Sequence, residues 1–143
     1  MKTFTLEEAE SLLPVLESLL RTSIEGKKVI ESLEEEYNDF RHRVFLNGGM
    51  TLDVREAARK RATYDKTVQN VRDAVAEIHA IGVQVKDLDI GLLDFPCEID
   101  GEIILLCWKY GEKGISFYHS LEAGFAGRQP INDRIRNQRK DPQ

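Results

Sequence analysis

The segment Leu93–Ser120, LDFPCEIDGEIILLCWKYGEKGISFYHS, decides the fold. Within it, Asp100-Gly101 separates two apolar runs, which is a strong signal for a two-residue β-hairpin turn. A second turn, Gly111–Gly114, returns the chain once more. The predicted strands are Leu93–Ile99, Glu102–Tyr110 and Ile115–Ser120. The sequence therefore predicts a three-stranded antiparallel β-meander, with the first strand at an edge because it contains Pro96.

The lengths of the two turns predict which side chains share a face of the sheet. A two-residue turn sets Phe95 opposite Leu106, and a four-residue turn sets Leu106 opposite His119. The face expected to pack on helices carries Leu93, Phe95, Cys97, Ile104, Leu106, Trp108, Phe117 and His119. The second face carries Asp94, Glu98, Ile103, Leu105, Cys107, Lys109, Ser116 and Tyr118. Because this second face is half apolar, either the chain after Ser120 or another subunit is expected to cover it.

Apolar residues at steps of three and four predict two long helices before the meander. The first series runs from Leu6 to Leu20 and resumes from Ile30 to Val44, and the second runs from Val54 to Ile78. Pro14 predicts a kink or break in the first helix, since it removes a backbone hydrogen bond. The short loop between the helices predicts an antiparallel hairpin.

Capping residues mark the ends of both predicted helices. Thr5 and Glu8 form a capping box, and Asp53 is a typical N-cap. Asn47-Gly48-Gly49 ends the first helix, and Gly82 ends the second. The predicted fold class is α+β, a long antiparallel helical hairpin packed on the three-stranded meander. We predict one domain over residues 1–143, with the hairpin at 1–82, the meander and a glycine-rich loop at 83–131, and a flexible basic tail at 132–143.

Composition excludes some classes of function. A net charge of -5 makes nucleic-acid binding unlikely, since such proteins are usually basic. No apolar run is long enough to cross a membrane, and the N-terminus has no signal peptide. Two cysteines, predicted on opposite faces, do not form a disulfide framework, so we expect reduced thiols and a cytoplasmic protein. The apolar helix series and the second sheet face predict a homodimer, and an unidentified protein partner stays open.

The glycine-rich loop near the C-terminus is the candidate functional region. Backbone N–H groups and a guanidinium can bind a small anion, and the candidate ligands are Arg128, Gly124, Gly127, Trp108 and Glu112. The alternative is a structural turn in which Arg128 binds Glu112 or Asp94. His119 and Glu122 are candidate metal ligands, against the alternative of a buried structural histidine. Cys107 is disfavoured as a nucleophile because no histidine is expected on its face.

Several motifs carry a resemblance to a known family. They are FTLEEAESLLP, GLLDFP, CWKYGE, FYH and AGFAGRQPI. With them the chain resembles, over nearly its whole length, the prokaryotic family called domain of unknown function 2203. The residues that match the C-terminal motif are Trp108, Gly111, Glu112, His119, Gly124, Phe125, Gly127, Arg128 and Pro130. The resemblance implies no catalytic assignment, because no activity is established for the family.

Two classes of function follow from these observations. The first is a non-enzymatic interaction or assembly module, which the helical apolar series and the lack of a recognisable catalytic set favour. The alternative is a small-anion-binding or metal-assisted enzyme that uses Glu112, His119, Glu122 and Arg128. No cofactor is predicted, and a divalent metal stays an open alternative.

Overall fold

A computed structural model describes residues 2–48 and 53–138, and for Phe125 only the backbone. The helices are α1 (Leu6–Ser11), α2 (Leu13–Leu46), α3 (Val54–Ile81) and α4 (Asp133–Arg136), with a 3-10 turn at Phe125–Gly127. The strands are β1 (Gln84–Asp87), β2 (Leu92–Ile99), β3 (Glu102–Lys109), β4 (Phe117–Ser120) and β5 (Gln129–Pro130). They form one antiparallel sheet in the order β1-β2-β3-β4-β5. The predicted fold class is confirmed, and β1 and β5 extend the predicted meander at its two edges.

The start of the helical hairpin follows the local sequence. Glu8 donates its backbone N–H to the Thr5 hydroxyl at 3.1 Å, and its carboxylate accepts the Thr5 N–H at 3.0 Å. This confirms the capping box. The predicted break is also confirmed, because α1 ends at Ser11 and Pro14 lies in the first turn of α2, where no helical N–H is needed.

The second helix also begins and ends where predicted. The Asp53 carboxylate accepts the N–H groups of Arg55 and Glu56 at 3.0 and 3.2 Å. Gly82 ends the helix at φ +106°, a conformation that strains other residues. The first helix ends at Leu46, as the asparagine and glycines after it predict, although Gly49 itself lies outside the described residues.

The β2–β3 hairpin has the predicted register. Asp100 and Gly101 both have positive φ, 51° and 83°, as a type I′ turn requires, and Ile99 pairs with Glu102. The prediction that Pro96 places this strand at an edge is wrong, since β2 lies between β1 and β3. Proline is tolerated because β1 reaches only as far as Asp94 along β2. Beyond it, the Pro96 carbonyl accepts the N–H of Phe4 at 2.7 Å.

The predicted pairing of the third strand is wrong by one residue. Leu106 pairs with Tyr118, and Leu105 pairs with His119. A tight turn starts the return: the Glu112 N–H donates to the Lys109 carbonyl at 3.0 Å, with Gly111 at φ +98°. The connection therefore has odd length rather than the four residues expected. Because side chains alternate, the change moves His119 and Phe117 to the second face and Tyr118 to the helix-facing side.

One face of the sheet packs on the helices. Phe95 and Leu106 are fully buried beside Leu16 and Leu20 of α2, and the Phe95 ring makes an edge contact with Phe4, 5.9 Å between centroids. The second face is covered by the chain after Ser120, one of the two predicted coverings. The 3-10 turn of this C-terminal segment packs against β4, and its strand β5 pairs with β4.

The last described residues include the short helix α4. Asn132 caps α4 by accepting the Ile135 N–H at 3.1 Å, and the Ile135 side chain is buried in the core. Gln138 donates to the Glu98 carbonyl and contacts the Cys97 thiol. The buried Ile135 and the contacts of Gln138 thus join the segment up to Gln138 to the core. Residues 139–143 lie outside the described part. No described helix is long and apolar enough to cross a lipid bilayer.

Candidate functional site

Three polar side chains meet on the second face of the sheet. They are Asp94 on β2, Cys107 on β3 and His119 on β4, which are neighbouring strands. Asp94 pairs directly with Cys107, and His119 lies two residues further along, opposite Leu105, the next residue of β3 on the same face. A donor atom from each of the three lies within 4.8 Å of the other two. Their side chains are nearly inaccessible, at 1%, 1% and 4% exposure.

Hydrogen bonds orient the imidazole of His119. Its Nδ1 lies 2.8 Å from the Ser120 carbonyl oxygen, and its Nε2 lies 3.2 Å from Oδ1 of Asp94. A carbonyl oxygen can only accept, so Nδ1 carries the hydrogen of this bond. The other carboxylate oxygen, Oδ2 of Asp94, is buried and has no hydrogen-bond partner within the described residues. The group therefore contains an unsatisfied buried oxygen, which normally costs about 1–3 kcal/mol.

Burial and neighbouring charges act in opposite directions on the acidic members of the group. Burial raises the pKa of the Asp94 carboxyl, and the adjacent His119 and the more distant Lys86 counteract this. Burial likewise raises the pKa of the Cys107 thiol, while a hydrogen bond from Arg128 lowers it. The site thus places a basic side chain next to each of the two side chains that can become anions.

Arg128 is held beside the group by the glycine-rich loop. Its guanidinium carbon lies 4.3 Å from the centre of the Phe117 ring, and the guanidinium is close enough to Cys107 to lower the pKa of its thiol against the effect of burial. The path of the loop requires a glycine at position 127, since a Cβ there would lie 2.5 Å from the Cβ of Ala123. The loop closes through a bond from the Gly127 N–H to the Gly124 carbonyl at 3.1 Å, with Gly124 at φ +65°. The side chain of Phe125 lies outside the described part.

The other predicted site residues lie elsewhere. Trp108 is buried on the helix-facing side of β3, where its Nε1–H donates to the Glu112 carbonyl at 3.0 Å. The Glu112 carboxylate accepts the Lys109 N–H at 2.6 Å and so supports the turn after β3. Glu122 is exposed in the turn after β4 and is outside the three-residue group found among the described residues. Of the predicted residues, the structure brings together His119 and Arg128.

Sequence reasoning named Asp94 only as a carboxylate that Arg128 could bind and Cys107 only as a disfavoured nucleophile, so neither was among the predicted site residues. The signal was present, because the Asp-Gly turn already paired these two residues on one face, and an aspartate within the apolar run LLDFPC is unusual. The expectation that no histidine shares the face of Cys107 is wrong, since His119 lies there. The shifted register of β4 explains the error.

The arrangement provides ligands rather than a nucleophile with its base. Both ring nitrogens of His119 have partners other than Cys107, namely Ser120 and Asp94. A catalytic cysteine needs a base within hydrogen-bonding reach of its sulfur. By contrast, one imidazole nitrogen, one carboxylate and one thiol within 4.8 Å form a plausible ligand set for a metal ion.

A second candidate surface lies at the other end of the hairpin. We call residues 24–46 of α2 and 54–73 of α3 the projecting half, and none of these residues is buried. A groove of about 920 Å³ separates the two helices there. Its apolar lining comprises Leu33, Tyr37, Phe40, Ala57 and Tyr64. The projecting half therefore presents apolar side chains that the described chain leaves uncovered.

Comparison with known proteins gives one match. A family model described as an uncharacterized conserved protein (DUF2203) matches residues 2–131. No curated protein and no solved structure matches the chain. The matched range includes α1 to α3, all five strands and the Asp94, Cys107 and His119 group. The resemblance seen in the sequence is confirmed, and the chain belongs to the uncharacterized conserved protein family DUF2203.

Proposed function

We propose that this protein is a small cytoplasmic, non-enzymatic interaction module that forms a homodimer through the projecting half of its hairpin. The observation that carries the proposal is the exposure of apolar side chains at core-like helical spacing. Phe45 is 83% exposed and Tyr37 is 62% exposed. Burying a large apolar side chain contributes about 1.5–3 kcal/mol. Packing a second copy of the chain on the projecting half would bury these side chains and so stabilise the dimer.

The charges that line the groove favour a second copy as its occupant. The lining carries both signs of charge, with the acidic residues Glu34, Glu36, Asp39, Asp53 and Glu56 and the basic residues Arg43, Lys60 and Arg61. In a two-fold arrangement the same surface meets itself, so it must carry both signs of charge to avoid repulsion. This groove meets that condition. Gly26 permits close approach of α2 and α3, since a Cβ there would lie 2.5 Å from the Val71 side chain.

The thiols support the proposed compartment. Cys97 and Cys107 are both free and buried, on opposite faces of one sheet. Free cysteines are usual in proteins of reducing compartments. The cytoplasm is therefore the compartment that we propose.

Sedimentation velocity at micromolar concentration tests the proposed dimer. We expect the parent chain to sediment as a dimer and Tyr37→Asp as a monomer, because an aspartate cannot be buried in an apolar interface without a partner. Val15→Asp is the matched control, since Val15 is 50% exposed on the same helix but at the sheet end. This variant should stay dimeric. A monomeric parent chain, or equal effects of the two substitutions, would contradict the proposal.

A second candidate function is a metal-assisted enzyme, the alternative inferred from the sequence. The buried Asp94, Cys107 and His119 group with Arg128 beside it favours this candidate. The ligand set differs from the one expected, since Glu112 supports a turn and Glu122 is exposed. The first requirement of this candidate is a metal ion at the group.

A further inference from the structure

The contacts of His119 and Asp94 suit a bound cation. With Nδ1 donating to the Ser120 carbonyl, Nε2 faces Oδ1 of Asp94 at 3.2 Å. A proton or a metal ion can lie between these two atoms. The buried and unpartnered Oδ2 of Asp94 adds a second observation in the same place. The group thus has more acceptors than the described residues satisfy.

We propose that Asp94, Cys107 and His119 bind a divalent transition-metal ion, of which Zn²⁺ fits the ligands best. Nitrogen, oxygen and sulfur donors together suit zinc, whereas calcium and magnesium prefer oxygen alone. The proposal does not depend on dimerisation, because the group lies on the sheet rather than on the projecting half. A result that contradicts the proposed dimer therefore does not affect the proposed metal site, and the reverse also holds.

The surroundings of the group resemble those of known metal ligands in two respects. A metal-bound histidine usually donates its other ring N–H to a carbonyl or carboxylate, and here Ser120 provides that carbonyl. The Arg128 guanidinium counteracts part of the rise in the Cys107 thiol pKa that burial causes, and this favours the thiolate that binds metals. Three protein ligands leave a fourth position in a tetrahedral site.

The spacing of the donors is close to what an ion requires. Ligands about 2.0–2.3 Å from a tetrahedral zinc lie about 3.3–3.8 Å from one another. The three donors here lie within 4.8 Å, so shifts of about 1 Å or less would bring them to these distances. Because the three residues belong to adjacent strands of one sheet, side-chain rotation can supply such shifts without a change of fold.

The experiment uses the full chain, treated with a chelator and then titrated with Co²⁺ and Zn²⁺. We expect one ion per chain, a cobalt–thiolate charge-transfer absorption in the near ultraviolet, and a higher melting temperature with Zn²⁺. Cobalt reports on the ligands because this absorption requires a bound thiolate. The cobalt band of the parent chain is a readout that does not depend on any variant folding.

Variants assign the ligands. Cys107→Ala should abolish the charge-transfer band, and His119→Ala should weaken metal binding by at least tenfold. The matched control is Cys97→Ala, which removes the other buried cysteine from the opposite face and should keep the band. A parent chain that shows no cobalt–thiolate band would overturn the proposal and leave a proton shared by Asp94 and His119. Retention of the band in Cys107→Ala would also overturn it.

Discussion

The two faces of the sheet are equally well buried but are built in different ways. On the helix-facing side, Phe95, Leu106 and Trp108 pack against apolar side chains. On the opposite side, Asp94, Cys107 and His119 lie under the loop that carries Arg128. The same strands supply both sets, since successive residues point to opposite faces.

The difference teaches that burial and chemistry are separate properties of a face. The apolar face gains stability from area removed from water and needs no particular partner for each atom. The polar face gains stability only if each buried donor, acceptor and charge finds a partner. Substitutions on the two faces should therefore differ in how much they change the free energy of unfolding. They should also differ in how that change depends on solution conditions.

The largest effect is expected on the apolar face. Phe95→Ala should lower the free energy of unfolding by about 3–5 kcal/mol, because it leaves a cavity beside Phe4 and the helices. Urea denaturation monitored by circular dichroism measures the change. As a control, Ile90→Ala removes an apolar side chain that is 40% exposed and should cost about 0.5 kcal/mol or less. A loss below about 1 kcal/mol for Phe95→Ala would show that this face is not the main core.

A second effect concerns the thiol on the apolar face. Burial raises the pKa of Cys97 from 9.0 to about 11. The unfolded chain therefore loses this thiol proton first as the pH rises. The contribution to stability is fully present below pH 9 and is lost between pH 9 and about 11, up to about 2–3 kcal/mol.

Denaturation curves across that pH range, compared with those of Cys97→Val, test this prediction. Valine has no thiol proton, so the variant should lose less stability above pH 9 than the parent chain. Parallel losses in the two proteins would mean that Cys97 does not titrate as its burial requires. The comparison also separates this cysteine from Cys107, which has Arg128 as a partner.

The smallest effect is expected for Arg128→Lys on the polar face. Lysine keeps the charge but loses the planar group that lies 4.3 Å from the centre of the Phe117 ring. We expect a loss of about 1 kcal/mol in chelator-treated protein, the range of a partly desolvated cation–π contact. Thermal and urea unfolding measure it, with the exposed Arg134→Lys as control. Equal stability of parent and variant would remove the structural role of Arg128.

Much of the fold could be predicted because its signals are local. The Thr5 capping box, the Asp53 cap and the Asp100-Gly101 turn each depend on a few neighbouring residues, and all three have the predicted geometry. The edge strands β1 and β5 could not be predicted. They have four and two residues, too few for an alternating pattern, and they form by pairing with strands already in place.

The candidate site was only partly predictable. His119 and Arg128 were identified, and the pairing of Asp94 with Cys107 followed from the hairpin turn. The histidine was assigned to the wrong face because a four-residue turn was assumed before its strand. Since Phe117 and Tyr118 are both aromatic, alternation could not correct the register. Gly111 and Gly114 allow connections of different length, and a shift of one residue reverses every side chain.

The sequence by itself determined the elements with local signals: two long amphipathic helices, their ends, and one tight hairpin. The tertiary structure decided the register of β4, the side of the sheet on which His119 lies, and which half of the hairpin the sheet covers. The physical reason is the range of the interactions. Caps and turns are settled by hydrogen bonds within a few residues, whereas register and burial depend on contacts between distant segments.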